Sequence, residues 1–172
     1  LRMPLPEQII HLAKLFGKPP AWIQGFTEND SLGAISANYV TANTPNISTK
    51  TGLLPVTQAT DSTAYSLEYL AGRGLNKNKL LSILQLDTSM HGVIEEGDEV
   101  LLDGDSTEVR GAGLFGIVVS GLIWIRWIRP EMGDTFTLWA EDRENYPPKT
   151  LTREELDELD IVGRVVRVAH DR

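Results

Sequence analysis

The chain has 172 residues, 41% hydrophobic and 23% charged, with no cysteine, which suits one or two small globular domains with a core of their own. The missing cysteines exclude disulfide frameworks, thiolate metal sites and cysteine nucleophiles. The net charge of −8 is unevenly placed: eight of the 24 acids fall between Asp87 and Glu108 with no Lys or Arg among them, a surface that repels phosphate and binds nucleic acid poorly by itself.

No apolar run approaches the roughly 18 residues of a membrane span, and Leu1-Arg-Met-Pro4 begins no signal peptide. The expectation is a soluble, cytoplasmic protein without a membrane partner. The first residue is leucine rather than an initiator methionine, so a piece of a longer polypeptide is expected.

Residues 6–17, PEQIIHLAKLFG, put Ile9, Leu12, Ala13 and Phe16 on one helical face, with Gly17 as a stop. A second short helix is expected over Ala21–Gly25, after Pro19 and Pro20. Two helices this short need something further to pack on. In Thr41–Thr51, seven of eleven residues are Ser, Thr or Asn, too little apolar surface to offset ordering, so residues 31–52 read as a linker.

A second domain is expected from Leu53 onward. Ser62–Gly72 reads as a capped short helix with Tyr65, Leu67, Tyr69 and Leu70 partly buried. Strand-like runs follow at Leu80–Leu86, Glu99–Asp103, Leu114–Val119, Leu122–Ile128, Phe136–Ala140 and Ile161–Ala169. Ser120-Gly121 is a hairpin signal, and Thr152-Arg-Glu-Glu155 a capping box opening an acidic helix. The fold class is mainly β, with short helices.

Three motifs fail on inspection. Gly111–Gly116 fits G-x-G-x-x-G, but a polar turn precedes it and the β-branched run Ile117-Val-Val119 follows, where a dinucleotide site needs a helix N-terminus. Asp103–Glu108 lacks the glycine and the closing Glu of a calcium loop. His11, His91 and His170 have no metal-ligand spacing. No metal and no cofactor is expected.

Four segments in order carry a resemblance. They are Ser89-Met90 before the acidic turn Glu95-Glu-Gly-Asp98 and its strand; Leu122-Ile-Trp-Ile-Arg-Trp-Ile128; Asn145-Tyr-Pro-Pro148; and Ile161-Val-Gly-Arg-Val-Val-Arg-Val168. Together with the lead-in Tyr65–Leu75, they resemble the C-terminal domain of LexA and phage CI-type repressors, the S24 self-cleaving serine peptidases related in fold to signal peptidases. The resemblance covers about Leu53 to Ala169. PEQIIHLAKLFGKPPAWIQGF looks like the last two helices of a Cro/CI-type helix-turn-helix domain. The resemblance thus implies three parts: residues 1–30 the end of a DNA-binding domain, 31–52 a linker, and 53–172 a peptidase-like dimerisation domain.

The family chemistry implied is a serine nucleophile whose proton is taken by a lysine kept neutral by burial. Ser89 matches the nucleophile, while Asp87 and Thr88 stand where the family has glycine and aspartate. The base position, 37 residues after Ser89, holds Arg126, and strand alternation puts it on one face with Trp124 and Ile128. Arginine stays protonated and has no acceptor lone pair, so it can hydrogen-bond Ser89 or Asp87 but cannot deprotonate the serine. His91 is an alternative base on the serine's side, and Lys149 another. Family substrates are Ala-Gly or Cys-Gly bonds in the leading linker; here that neighbourhood reads Thr51-Gly-Leu-Leu54, and the Ala-Gly pairs are Ala71-Gly72 and Ala112-Gly113.

The expectation is a phage- or prophage-type transcriptional repressor whose degenerate, non-cleaving domain supplies self-association as a homodimer or higher oligomer. Operator DNA would be bound only through a domain largely upstream of Leu1, with RecA or an antirepressor as candidate regulators. Leu122–Ile128 and Ile161–Val168 are candidate self-association edges. The alternatives are an active self-cleaving peptidase induced by DNA damage, and an interaction module without DNA function.

Overall fold

The computed structural model describes residues 6–16, 38–42 and 46–170. The predicted helix over Ala21–Gly25 lies outside the described residues. The elements are α1 (Pro6–Phe16), β1 (Tyr39–Thr41), β2 (Asn46–Thr49), β3 (Gly52–Pro55), β4 (Ala64–Ser66), α2 (Leu67–Gly72), a 3₁₀ turn (Lys77–Lys79), β5 (Leu80–Leu84), β6 (Glu99–Asp103), β7 (Gly113–Val119), β8 (Leu122–Pro130), β9 (Thr135–Trp139), β10 (Lys149–Thr152), α3 (Arg153–Glu158) and β11 (Ile161–Ala169). The protein is mainly β, as the sequence implies.

Seven strands form one sheet in the order β10-β9-β8-β7-β11-β6-β5, antiparallel at every pairing. Strand alternation sends side chains of β8 into two cores. Ile123 and Ile125 join Leu81, Ile83, Met90, Val100 and Leu102 on one side. Ile128 joins Phe115, Ile117, Phe136, Leu151 and Leu156 on the other, with Trp124 packed against them. A sheet covered on both faces explains the near-continuous apolar runs of β7 and β8. A third cluster, Ala42, Tyr65, Leu70, Leu80 and Leu101, packs the β1–β4 pair and α2 onto the β5–β6 end.

Several elements differ from their sequence-based expectation. The Ser62–Gly72 helix begins only at Leu67, because Ser66 is the N-cap: its Oγ accepts from the Tyr69 amide. Ala64–Ser66 is instead a strand paired with β1. Residues 46–51, polar enough to read as linker, form one arm and the turn of a hairpin with β3. That hairpin is tied to the sheet through Lys50, whose backbone N–H donates to Asp160 Oδ1 at 2.8 Å and whose Nζ donates to the Leu159 carbonyl at 3.1 Å. β10 is a strand that its sequence, KTLT, does not announce.

β8 and β11 are interior strands rather than self-association edges. β11 pairs with both β6 and β7, and β8 pairs with β7 over 122–128 and with β9 over 127–130. Among the described residues, the first half of β8 has no strand partner on its other side, and a side chain takes that place. The buried Gln58 accepts from the Ile123 N–H at 2.6 Å and donates to the Ile123 carbonyl at 3.1 Å and to the Leu84 carbonyl at 3.4 Å. Its neighbour Ala59 bridges to Ile83 of β5. One amide thus pairs backbone that would otherwise be buried and unpartnered.

Candidate functional site

Ser89 follows β5 by a short polar turn. Gln85 Nε2, the Ser89 N–H and the Ser89 hydroxyl all donate to Asp87 Oδ1, at 2.9, 2.9 and 2.5 Å. The backbone contact from residue i+2 to an aspartate oxygen is an Asx turn, a local reason for an aspartate at this position. Ser89 is fully buried, and its carbonyl accepts from the Asp142 N–H at 3.0 Å. Met90 behind it is fully buried in the first core.

Arg126 reaches the serine from β8. Its Nη1 donates to Ser89 Oγ at 2.8 Å and to the Ile125 carbonyl at 2.7 Å. The side chain is 2% exposed. Its guanidinium carbon lies 4.7 Å from the centroid of the Trp124 ring and 5.1 Å from that of Tyr146, a cation between two π faces. The contact with Trp124 agrees with the shared strand face expected for the two residues. Burial pulls the guanidinium below its ordinary pKa, and the charge of Asp87 and the Tyr146 phenol oppose that pull. Arginine remains the cation through such shifts.

The hydroxyl is therefore committed twice, donating to a carboxylate and accepting from a cation. Neither partner is a neutral amine or imidazole able to take its proton. His91, the alternative base, is mostly exposed and faces Glu95 Oε2 through Nδ1 at 2.5 Å. Lys149 stands at the start of β10, paired in register with Leu138, and no contact joins it to Ser89. Of the Ala-Gly pairs, Ala71-Gly72 ends α2 and Ala112-Gly113 leads into β7. Thr51 lies in the turn of the β2–β3 hairpin and Gly52 begins β3, paired with Thr49.

Three participants carry no clear sequence signal. Gln85 and Tyr146 meet the site only through tertiary packing. Asp142, which holds the Ser89 carbonyl, also accepts from the Asn145 N–H and side chain at 3.0 and 2.8 Å. Those hydrogen bonds from Asn145 hold its carboxyl below the usual carboxylate range. The resemblance had marked the Asn145–Pro148 segment without saying what it touches.

Two cavities matter for chemistry. The larger, about 850 Å³, lies between β9, α3 and the Thr107–Arg110 turn; its Arg153 and Arg110 are already paired at the surface with Asp134 and Glu108. The smaller, about 430 Å³, is apolar and abuts Arg126. Among the described residues, no cluster of three or more His, Asp or Glu side chains could hold a metal ion. No helix among them is long and apolar enough to cross a membrane.

No protein-family model matches the chain. It is similar to an uncharacterized HTH-type transcriptional regulator of Haemophilus influenzae, with 27% identity over 115 residues, 67% of this chain. The chain spans about half the length of that curated relative, 48% of it being matched.

Proposed function

We propose that the chain is part of a transcriptional repressor of phage or prophage type, in which a degenerate S24 peptidase-like domain serves self-association and does not cleave. The observation that carries this reading is Arg126 Nη1 2.8 Å from Ser89 Oγ, where a self-cleaving serine peptidase needs a neutral base. A guanidinium there supplies a hydrogen bond and a positive charge but cannot accept the serine's proton. Asp87, on the other side of the hydroxyl, competes for the same proton by hydrogen bonding.

The similarity to an HTH-type transcriptional regulator supports the regulatory half of the reading. On this view residues 1–30 end a helix-turn-helix domain, 31–52 lead into the β domain, and operator DNA is contacted upstream of this chain. Two such domains joined through their β domains would meet half-sites about one helical turn apart. Among the described residues, β10 ends the seven-stranded sheet with its outer side open for such joining, whereas residues 58–60 bridge to the outer side of β5.

The test is prolonged incubation of the protein at alkaline pH, read by intact mass spectrometry, beside sedimentation velocity. The expected result is an uncut chain that sediments as a dimer or larger. Two discrete fragments that vanish in Ser89→Ala would establish the self-cleaving peptidase instead. A monomer at all concentrations would remove the self-association role.

A further inference from the structure

The 430 Å³ cavity beside Arg126 is walled by Trp124, Leu138, Tyr146 and Leu151. Its polar contributors are Arg126, Lys149 and Asn145; among the described residues no Asp or Glu lines it, in a chain of net charge −8. An apolar groove to which the described residues bring two cations and no anion is complementary to a ligand with an apolar body and one negative charge.

Arg126 sharpens the match. Its Nη1 is committed to Ser89 Oγ and the Ile125 carbonyl, but Nη2 is buried without a hydrogen-bond partner among the described residues. Such orphan donors are costly inside a protein, and each calls for an explanation. Nη2 belongs to a guanidinium set against the rings of Trp124 and Tyr146, which also line the cavity. Nη2 is buried, so a ligand reaches it only if a neighbouring group moves aside; Tyr146, on the connection between β9 and β10 and outside the sheet's ladder, is the candidate.

We propose that this groove binds a small organic monocarboxylate, its carboxylate accepting from Arg126 Nη2 and Lys149 Nζ and its aryl or alkyl body lying against Trp124, Leu138 and Leu151. Carboxylates suit this site because a guanidinium nitrogen and an ammonium both form short charge-assisted bonds to them. The apolar body matters equally, since bare anions such as chloride or acetate gain nothing from the walls. The inference stands on the cavity, and it does not depend on the chain being a repressor.

The test uses the whole chain and two probes of nearly equal shape, 4-phenylbutyrate and its uncharged amide, 4-phenylbutyramide, by isothermal titration calorimetry and tryptophan fluorescence. Phenylbutyrate is expected to bind at least tenfold more tightly than the amide. Lys149→Gln, an exposed change that leaves the fold intact, should weaken phenylbutyrate several-fold and leave the amide unchanged. Leu138→Arg, at the cavity wall, should abolish both; circular dichroism confirms that this variant is folded, and Leu138→Gln replaces it if it is not. Equal binding of acid and amide, or no binding of either at millimolar concentration, would overturn the proposal. So would a peptide ending in a free C-terminal phenylalanine that binds tenfold more tightly than phenylbutyrate, because the occupant would then be a polypeptide end.

Discussion

Arg126 Nη1 lies 2.8 Å from Ser89 Oγ although the two residues are 37 apart in the chain. The register of β8 between β7 and β9 and the Asx turn at Asp87 bring them together. The two lie within the hydrogen-bond reach that a nucleophile and its base require, but the group facing the hydroxyl is a cation.

The chemistry of this pair can be tested by restoring what is missing. In Arg126→Lys alone, the ammonium faces Asp87 and the attraction keeps it protonated. Replacing Asp87 by glycine as well, the residue the resembled peptidases carry there, removes that charge and leaves burial to depress the lysine. A serine-reactive fluorophosphonate should therefore label the wild type and Arg126→Lys no more than Ser89→Ala. Asp87→Gly/Arg126→Lys should be labelled roughly tenfold or more above that background. Wild-type labelling that disappears in Ser89→Ala would show that the serine is activated as it stands.

Gln58 should matter to stability far more than an ordinary glutamine. Its amide pairs both the N–H and the carbonyl of Ile123, and Gln58→Ala leaves both buried and unpaired. The expected loss is about 2–4 kcal/mol, each stranded group costing about 1–3 kcal/mol. Urea unfolding checks it, with Gln85→Ala as a comparison that leaves this backbone paired.

Glu99 gives the β5–β6 end an acid-sensitive contact. Its carboxylate accepts from Ser62 Oγ at 2.8 Å and Thr63 Oγ1 at 2.7 Å through one oxygen, and from Ser82 Oγ at 2.5 Å and Tyr65 OH at 3.2 Å through the other. Burial pushes the carboxyl up, but these four hydroxyls outweigh it and hold it below the usual range. A folded pKa below the unfolded one contributes stability that is present above the unfolded value and lost as pH falls through the folded value. The difference in melting temperature between wild type and Glu99→Gln should thus be largest near neutral pH and shrink below about pH 4. A difference constant from pH 7 to 3 would mean that the charge of Glu99 contributes nothing.

Among the described glycines, Gly163 is where an added Cβ would meet backbone most closely. A Cβ there would stand 2.5 Å from the Asp103 carbonyl oxygen and 2.8 Å from its carbon, and the β11 register shifts between Ile161 and Gly163. Gly163→Ala should cost roughly 2–3 kcal/mol, the scale of forced overpacking. Gly111→Ala, with nothing within 4 Å of its added Cβ, should be near neutral. Equal melting temperatures for the two variants would show that β11 shifts at no cost.

Some of the protein is written locally and could be read from sequence. Glu99–Asp103 and Ile161–Ala169 are strands with the expected limits, because apolar and β-branched residues there are bounded by turn residues. Thr152 and Glu155 form the reciprocal capping box their spacing implies. Ser120 and Gly121, with φ of 51° and 81°, make the hairpin turn. In each case the deciding interaction lies within a few residues, so propensity and spacing suffice.

The rest depends on which strand lies beside which. Arg126 was marked by resemblance, but only the packed sheet decides that it donates to Ser89 and that Trp124 and Tyr146 flank it. Gln58 looks like any polar residue until β8 is left with one unpaired side. Glu99 belongs to an acidic run that suggests a solvated surface, yet four hydroxyls from β4, β5 and the loop before β4 converge on it. The strand-like composition of β8 and β11 cannot say whether they lie at an edge or inside; the register places them inside. Local free energies choose the elements, while burial and hydrogen-bond satisfaction across long sequence separations choose their neighbours, and the site is made of neighbours.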